Sequence, residues 1–166
     1  AGDDYAHGEE GADLIHGGNG NDRIWGNDGD DIINGDLGDD IIEGGLGNDE
    51  INTGDGDDRA YGRDGDDNIH TDDGNDIVFG GNGHDIIKGW GDDDVLYGEL
   101  GNDDIDGGDG NDRIYGGEGI NILTGGAGDD TYYVIGGYDT IIEVTDGGFD
   151  TVYLIEAPET EGIIET

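Results

Sequence analysis

The 166-residue chain is predicted to be all-β: a solenoid of stacked coils whose strands form two parallel sheets, closed by a cap at its C-terminal end. Three observations carry this. A nine-residue pattern runs from Gly8 to Tyr133 without one insertion or deletion. One position in every block is apolar, which is the signature of an inward-facing rank. Gly and Asp recur at fixed places between those apolar residues, in a chain with 39 Gly, 45 acidic and five basic residues.

Fourteen blocks begin at residues 8, 17, 26, 35, 44, 53, 62, 71, 80, 89, 98, 107, 116 and 125. A partial block precedes them, with Gly2, Asp4 and Ala6 in the same phase. Residues 1–133 are therefore read as the repeat array and residues 134–166 as its continuation and cap. Together they are expected to form one domain, a fragment of a longer chain, and because the sequence opens inside its own repeat pattern no signal peptide is expected there.

The turn comes first in each block. Position 1 is Gly8, Gly17, Gly26, Gly35, Gly44, Gly62, Gly80, Gly89, Gly98, Gly107, Gly116 and Gly125, with Thr53 and Thr71 as exceptions. Position 4 is Gly11, Gly20, Gly29, Gly38, Gly47, Gly56, Gly65, Gly74, Gly83, Gly101, Gly110, Gly119 and Gly128, with Asp92 as the exception. Glycine at these places permits positive φ and lets main-chain carbonyls approach a ligand closely. Asp92 is expected to strain its turn. Position 6 carries Asp13, Asp22, Asp31, Asp40, Asp49, Asp58, Asp67, Asp76, Asp85, Asp94, Asp103, Asp112 and Asp130, with Asn121 in one block. A carboxylate is a hard oxygen donor of the kind Ca2+ prefers.

The strand follows. Position 8, from Ile15 through Ile69 and Leu96 to Tyr132, lies between two outward neighbours, so alternation sends it inward. Each nonamer then reads as a six-residue turn and a three-residue strand. Nine residues make half a coil, and eighteen bring the chain back to the same side. Each Asp thus faces the turn eighteen residues away.

The C-terminal segment keeps the phase at first, with Gly137, Asp139 and Ile141 at positions 4, 6 and 8 of a fifteenth block. After Ile142 the phase slips by two residues, and Asp150, Thr151 and Val152 resume it. Beyond Leu154 the string IEAPETEGIIET lacks the periodic glycines and holds the chain's one Pro. A solenoid needs a cap over its last coil, and residues 134–166 are expected to supply it.

The pattern GGxGxDxUx resembles the repeats-in-toxin (RTX, haemolysin-type) calcium-binding nonapeptide, and GGAGDDTYYV with DTIIEVTDGGFDTVYL resembles the segment that closes many such arrays. The resemblance implies a right-handed parallel β-roll. It implies Ca2+ held between successive turns by the position-6 Asp carboxylates, Asp139 included, and by the carbonyls of the position-1 and position-4 glycines. It also implies export from a Gram-negative bacterium by a one-step, type I secretion apparatus, and therefore an extracellular or cell-surface protein. The role implied is a module that folds on binding calcium after secretion and acts as a scaffold of a larger protein.

The charge supports a cation as the missing partner. The formal net charge is -40 and only 31% of residues are hydrophobic, a composition that by itself favours disorder. Fourteen turns in two columns leave twelve gaps, and twelve Ca2+ would take the charge to -16. Nucleic acid and anionic membranes would be repelled. No apolar run approaches 18 residues, so no membrane span is expected. Cys is absent and so is Ser, which removes the commonest nucleophiles. His7, His16, His70 and His84 fall on different sheets, coils or turns and are not expected to converge. The chain is therefore read as no enzyme, and any catalysis belongs to another part of the parent chain.

Position 9 is asymmetric. One sheet presents His7, Trp25, Glu43, Tyr61, Phe79, Tyr97, Tyr115 and Tyr133, the other His16, Asn34, Asn52, His70, Lys88, Asp106 and Thr124. Arg23, Arg59 and Arg113 share the aromatic face, each two residues before a ring. Two readings fit: a ladder of rings that stiffens one sheet, or an adhesive face for an acidic polysaccharide or another module of the parent protein.

Overall fold

The computed structural model describes residues 2–136, 138–144 and 147–156. Among them, seventeen strands alternate between two sheets. One sheet holds β1 (Tyr5–Glu10), β3 (Arg23–Asp28), β5 (Ile41–Leu46), β7 (Arg59–Asp64), β9 (Ile77–Asn82), β11 (Val95–Leu100), β13 (Arg113–Gly117), β15 (Thr131–Ile135) and β17 (Thr151–Ile155), in that order. The other holds β2 (Leu14–Asn19), β4 (Ile32–Leu37), β6 (Glu50–Asp55), β8 (Asn68–His70), β10 (Ile86–Gly91), β12 (Asp104–Asp109), β14 (Ile122–Ala127) and β16 (Thr140–Ile142). Every pairing is parallel, and from β1 to β14 residue i meets residue i+18, as in Ile24↔Ile42 and Ile87↔Ile105. The chain is a parallel β-roll.

The core is a single file from each sheet. Ile24, Ile33, Ile42, Ile51, Ala60, Ile69, Val78, Ile87, Leu96, Ile105, Ile114, Leu123 and Tyr132, all at position 8, are almost wholly buried between the sheets. Positions 7 and 9 on either side are exposed or half-buried, as strand alternation requires.

The strands are longer than the sequence suggests. Most run six residues, from position 7 of one block to position 3 of the next, so the turn proper shrinks to positions 4–6. The reason is the register. Stacking coils eighteen residues apart pairs the turn flanks as well, so Glu9↔Asn27 and Glu10↔Asp28 extend the ladder past the position-1 glycine.

The glycines also divide their work differently from expectation. Positive φ occurs at position 4, as at Gly47 (124°), and at position 2, as at Gly45 (127°), but at no position-1 glycine among the described residues. Position 1 is bare because space is short: a Cβ on Gly8 would lie 2.6 Å from the Gly26 carbonyl oxygen. At position 2 the positive φ is imposed even on Glu9, Arg63, Trp90 and Glu99 (72–88°), a cost of roughly 1–2 kcal/mol per residue. Asp92 carries the expected strain, with φ 70°.

At the C-terminal end β16 joins β14, and β17 joins β15 in a register of twenty, Thr131↔Thr151. The two extra residues after Ile142 are absorbed between those strands. Gly137 and residues 157–166, the last part of the expected cap, lie outside the described residues. Among the described residues no helix is long and apolar enough to cross a membrane.

Adjacent residues of one strand should therefore differ sharply on truncation. Ile87→Ala removes a fully buried side chain and should cost about 2–5 kcal/mol. Ile86→Ala, at a side chain 43% exposed, should cost about 0.5 kcal/mol or less. Urea midpoints of the two folded variants measure the difference, and equal midpoints would contradict the inward assignment of position 8.

Candidate metal centre

The turns pile into two columns, and position 6 forms a continuous rank in each. One column runs Asp13, Asp31, Asp49, Asp67, Asp85, Asp103, Asn121 and Asp139, the other Asp22, Asp40, Asp58, Asp76, Asp94, Asp112 and Asp130. In the inner coils these side chains are at most 3% exposed. Each Oδ1 accepts a hydrogen bond from the backbone N–H of the residue eighteen positions earlier: Asp22 N–H to Asp40 Oδ1 at 2.7 Å, Asp58 N–H to Asp76 Oδ1 at 2.7 Å, Asp94 N–H to Asp112 Oδ1 at 2.8 Å.

The other oxygen is left out of this ladder. In all fourteen aspartates, Asp13 through Asp139, Oδ2 is buried and has no hydrogen-bond partner in the protein. These are the same fourteen residues that the repeat singles out. Beside every position-1 glycine from Gly8 to Gly107, Oδ2 turns toward that glycine and the position-1 carbonyl of the next coil. The point where a Cβ on Gly17 would sit lies 2.6 Å from Asp22 Oδ2 and 2.8 Å from the Gly35 carbonyl oxygen. Position-4 glycines stack on one another: a Cβ on Gly20 would lie 2.6 Å from the Gly2 carbonyl oxygen. Carboxylate and carbonyl oxygens converging on one point, without sulfur or nitrogen, suit a hard cation such as Ca2+.

Three turns depart from this plan. Thr53 and Thr71 take position 1 and are fully buried. Their hydroxyls donate to the Thr71 and Gly89 carbonyls at 3.1 and 3.0 Å, so those carbonyls already have a partner. Asn121 keeps the ladder bond through Oδ1, which accepts from the Asp103 N–H at 2.9 Å, and turns an unpartnered Nδ2 to where the other turns have an oxygen.

Burial dominates the electrostatics of the rank. Desolvation pushes the carboxyls of Asp40, Asp49, Asp76, Asp85 and Asp130 up to about 6, those of Asp58, Asp67 and Asp112 up to about 7, and that of Asp94 up to about 8. The backbone N–H on each Oδ1 opposes the rise, and neighbouring carboxylates add to it.

A second rank, at position 5, escaped the reading of the repeat. Asn21, Asp39, Asp57, Asn75, Asp93, Asn111 and Asp129 stack in one column, and each Oδ1 accepts from the backbone N–H eighteen residues later, as with Asn75 N–H to Asp57 Oδ1 at 3.0 Å, except that Asp129 Oδ1 accepts from Phe149 N–H, twenty residues later. The bonds run opposite to those of position 6, so the two ranks stitch each turn to both neighbours. The signal was present, since eleven of fourteen position-5 residues are Asn or Asp. The histidines stay apart: His7 is on β1, His16 on β2 and His70 on β8, while His84 Nδ1 accepts the Asn102 N–H in the position-5 ladder of the other column.

The aromatic face is a stack. Tyr61, Phe79, Tyr97, Tyr115 and Tyr133 lie parallel at 4.2–5.1 Å between successive ring centres, and Tyr153 continues the file at 5.2 Å. Trp25 stacks on His7 at 4.5 Å, and Glu43 separates the two runs. An open groove of about 470 Å³ is lined by Arg59, Ile77, Val95 and Arg113 at position 7 and by Tyr61, Phe79, Tyr97 and Tyr115 at position 9. Arg23 instead sits over Tyr5, 5.6 Å from its ring centre. A fourth cation, missed in the sequence, joins this face: Arg63 lies 4.9 Å over the Tyr61 ring and pairs with Glu43 at 3.0 Å.

A two-sheet parallel solenoid whose turns bury ranks of half-satisfied carboxylates beside bare carbonyls is a metal-binding β-roll. The chain belongs to the RTX calcium-binding nonapeptide repeat family, whose four-copy model matches residues 7–42, 16–51, 43–78, 70–105 and 106–141. A search of curated proteins gave no match. The roll is a structural calcium-binding domain and not a catalytic one.

The raised carboxyls set the pH dependence of the calcium-free chain. Their folded-state values, about 6 to 8, lie above the ordinary 3.8, so the fold binds more protons than the unfolded chain. Stability is then present in acid and lost as pH rises from about 4 through 8. In calcium-stripped buffer the β signal in circular dichroism should be stronger at pH 5 than at pH 8, and calcium binding at pH 7 should release protons. Equal disorder at both pH values, with no proton release, would contradict this.

Proposed function

We propose that this chain is a calcium-triggered folding module that serves as the stabilising, secretion-assisting scaffold of a larger extracellular protein. One observation carries the reading: fourteen buried carboxylate oxygens in line, none with a partner in the protein. Burying an unpaired carboxylate costs several kcal/mol, and the single file of aliphatic side chains cannot offset that at every turn. The position-6 aspartates hold the ions through Oδ2, and position-1 and position-4 carbonyls complete the oxygen shell. Bound Ca2+ supplies two positive charges between carboxylates that otherwise repel at about 4.8 Å, the strand spacing. Up to about twelve ions fit the gaps, and the hydroxyls of Thr53 and Thr71 and the amide of Asn121 lower that number.

A module of this kind stays unfolded in a low-calcium cytoplasm and folds outside the cell, consistent with type I export from a Gram-negative bacterium. The segment from residue 134 onward acts as the cap, with β16 and β17 covering the last coil of each sheet. At pH 8 with EDTA the far-UV circular dichroism should be that of a disordered chain. Calcium should induce β structure steeply, with a midpoint near ~10⁻⁴–10⁻³ M. Magnesium at equal concentration should fold it poorly, because Mg2+ demands short octahedral geometry and retains its waters. A β spectrum that persists in EDTA would overturn the proposal.

The groove between Arg59 and Arg113 favours a second role, a face that binds an acidic polysaccharide or an acidic module of the parent protein. The ring faces are turned to one another, so a ligand meets ring edges below and guanidinium groups at the sides. Changing Tyr61, Phe79 and Tyr97 to Thr tests it, since Thr keeps strand propensity. Loss of binding to an acidic polysaccharide with an unchanged calcium midpoint supports the face. A raised calcium midpoint and no binding by either protein assigns the rings to the ladder, where each pair contributes about 0.2–1 kcal/mol.

A further inference from the structure

The last coil departs from the repeat at one residue, and that departure gathers three carboxylates. Glu143 stands eighteen residues after Gly125, so it takes position 1 of its column, where every earlier turn of that column has Gly or Thr. Its carboxylate, that of Asp130 and that of Asp150 each place an oxygen within 4.8 Å of the other two. Oxygens that close can share one Ca2+, whose coordination shell is about 4.6–5.2 Å across. Asp130 is only 1% exposed. Its Oδ1 accepts the Asp112 N–H at 2.9 Å, while its buried Oδ2 has no partner in the protein. The Asp130 N–H donates to Asp150 Oδ1 at 3.0 Å, which holds the incoming strand in its register of twenty.

Tyr132 belongs to the same arrangement. It occupies position 8, where the other blocks place Ile, Val, Leu or Ala, and its ring is wholly buried. Its hydroxyl donates to Glu143 Oε1. A Cβ on Gly125 would meet both that hydroxyl and Asp130 Oδ2, so the phenol reaches the same space as the orphaned oxygen. Three carboxylates with an aimed hydroxyl form a set that occurs in no other described turn.

We infer that Asp130, Glu143 and Asp150 form a Ca2+ site that replaces the ordinary repeat site at the last turn and fastens the closing segment to the end of the roll, with Tyr132 as the positioning residue for Glu143. It rests on the calcium-module reading but differs from the repeat sites in kind. A repeat turn offers one carboxylate oxygen and carbonyls, whereas this one gathers three carboxylates from two successive coils, one of them outside the nonapeptide pattern. More ligand charge gives tighter Ca2+ binding, so this site fills at lower calcium than the repeat turns.

The test uses the full chain and calcium alone. Bound Ca2+ per chain is measured after dialysis against fixed free calcium, together with amide hydrogen exchange. Glu143 and Asp150 are both exposed and lie beyond the fourteen blocks, so E143Q and D150N leave the array able to fold. Each variant should bind one Ca2+ fewer than the unaltered chain and lose amide protection over residues 140–155, with residues 20–120 still protected. Y132F, which retains all three carboxylates, should keep the ion count and need several-fold more calcium to protect residues 140–155. Unchanged ion counts and unchanged protection in E143Q and D150N would overturn the site, and an unchanged calcium requirement in Y132F would remove Tyr132 from it. Failure of the unaltered chain to bind calcium would instead sink the module reading itself.

Discussion

Parallel strands stack about 4.8 Å apart, and an eighteen-residue coil puts the same kind of residue at that spacing throughout the roll. That register is the constraint on which everything else rests. It aligns apolar side chains into one file per sheet, and it also aligns carboxylates. A column of buried like charges at strand spacing is untenable alone, yet the backbone geometry leaves them no other place. One oxygen of each Asp is tied to a neighbouring N–H, which fixes the direction of the second. The position-1 residue must then be bare or nearly so, because any Cβ would fill the space that both oxygens face.

The exceptions obey the same geometry. Thr53 and Thr71 are small side chains that bring their own donor into that space, and they stand eighteen residues apart, one above the other. Asn121 preserves the ladder and changes only the unpartnered atom. Opposed ladders at positions 5 and 6 bind each turn to the coils before and behind it, which makes the turns as cooperative as the sheets. The core is thin by comparison, with one inward side chain for every nine residues.

The two outer faces differ because alternate blocks feed alternate sheets. On one, rings spaced by the strand repeat lie flat on each other, and the stack breaks only where Glu43 replaces a ring and binds Arg63. Four of the chain's five basic residues, Arg23, Arg59, Arg63 and Arg113, lie on the strands of this sheet.

Sequence alone determined the features that repeat at fixed intervals: the eighteen-residue coil, the inward file from Ile24 to Tyr132, the rank of aspartates from Asp13 to Asp139, and the aromatic asymmetry between sheets. A strict period needs no knowledge of contacts, because each block imposes its geometry on the next. Only the tertiary structure decided what happens between coils. It lengthened the strands into the turn flanks and moved the demand for positive φ from position 1 to position 2, where Glu9 and Arg63 gave no hint of it. It also turned the position-5 residues into a second ladder and brought Glu143 to Asp130 and Asp150. These depend on which atoms of coils eighteen or twenty residues apart come within a few ångströms, and that distance is set by stacking rather than by any local preference of the residues themselves.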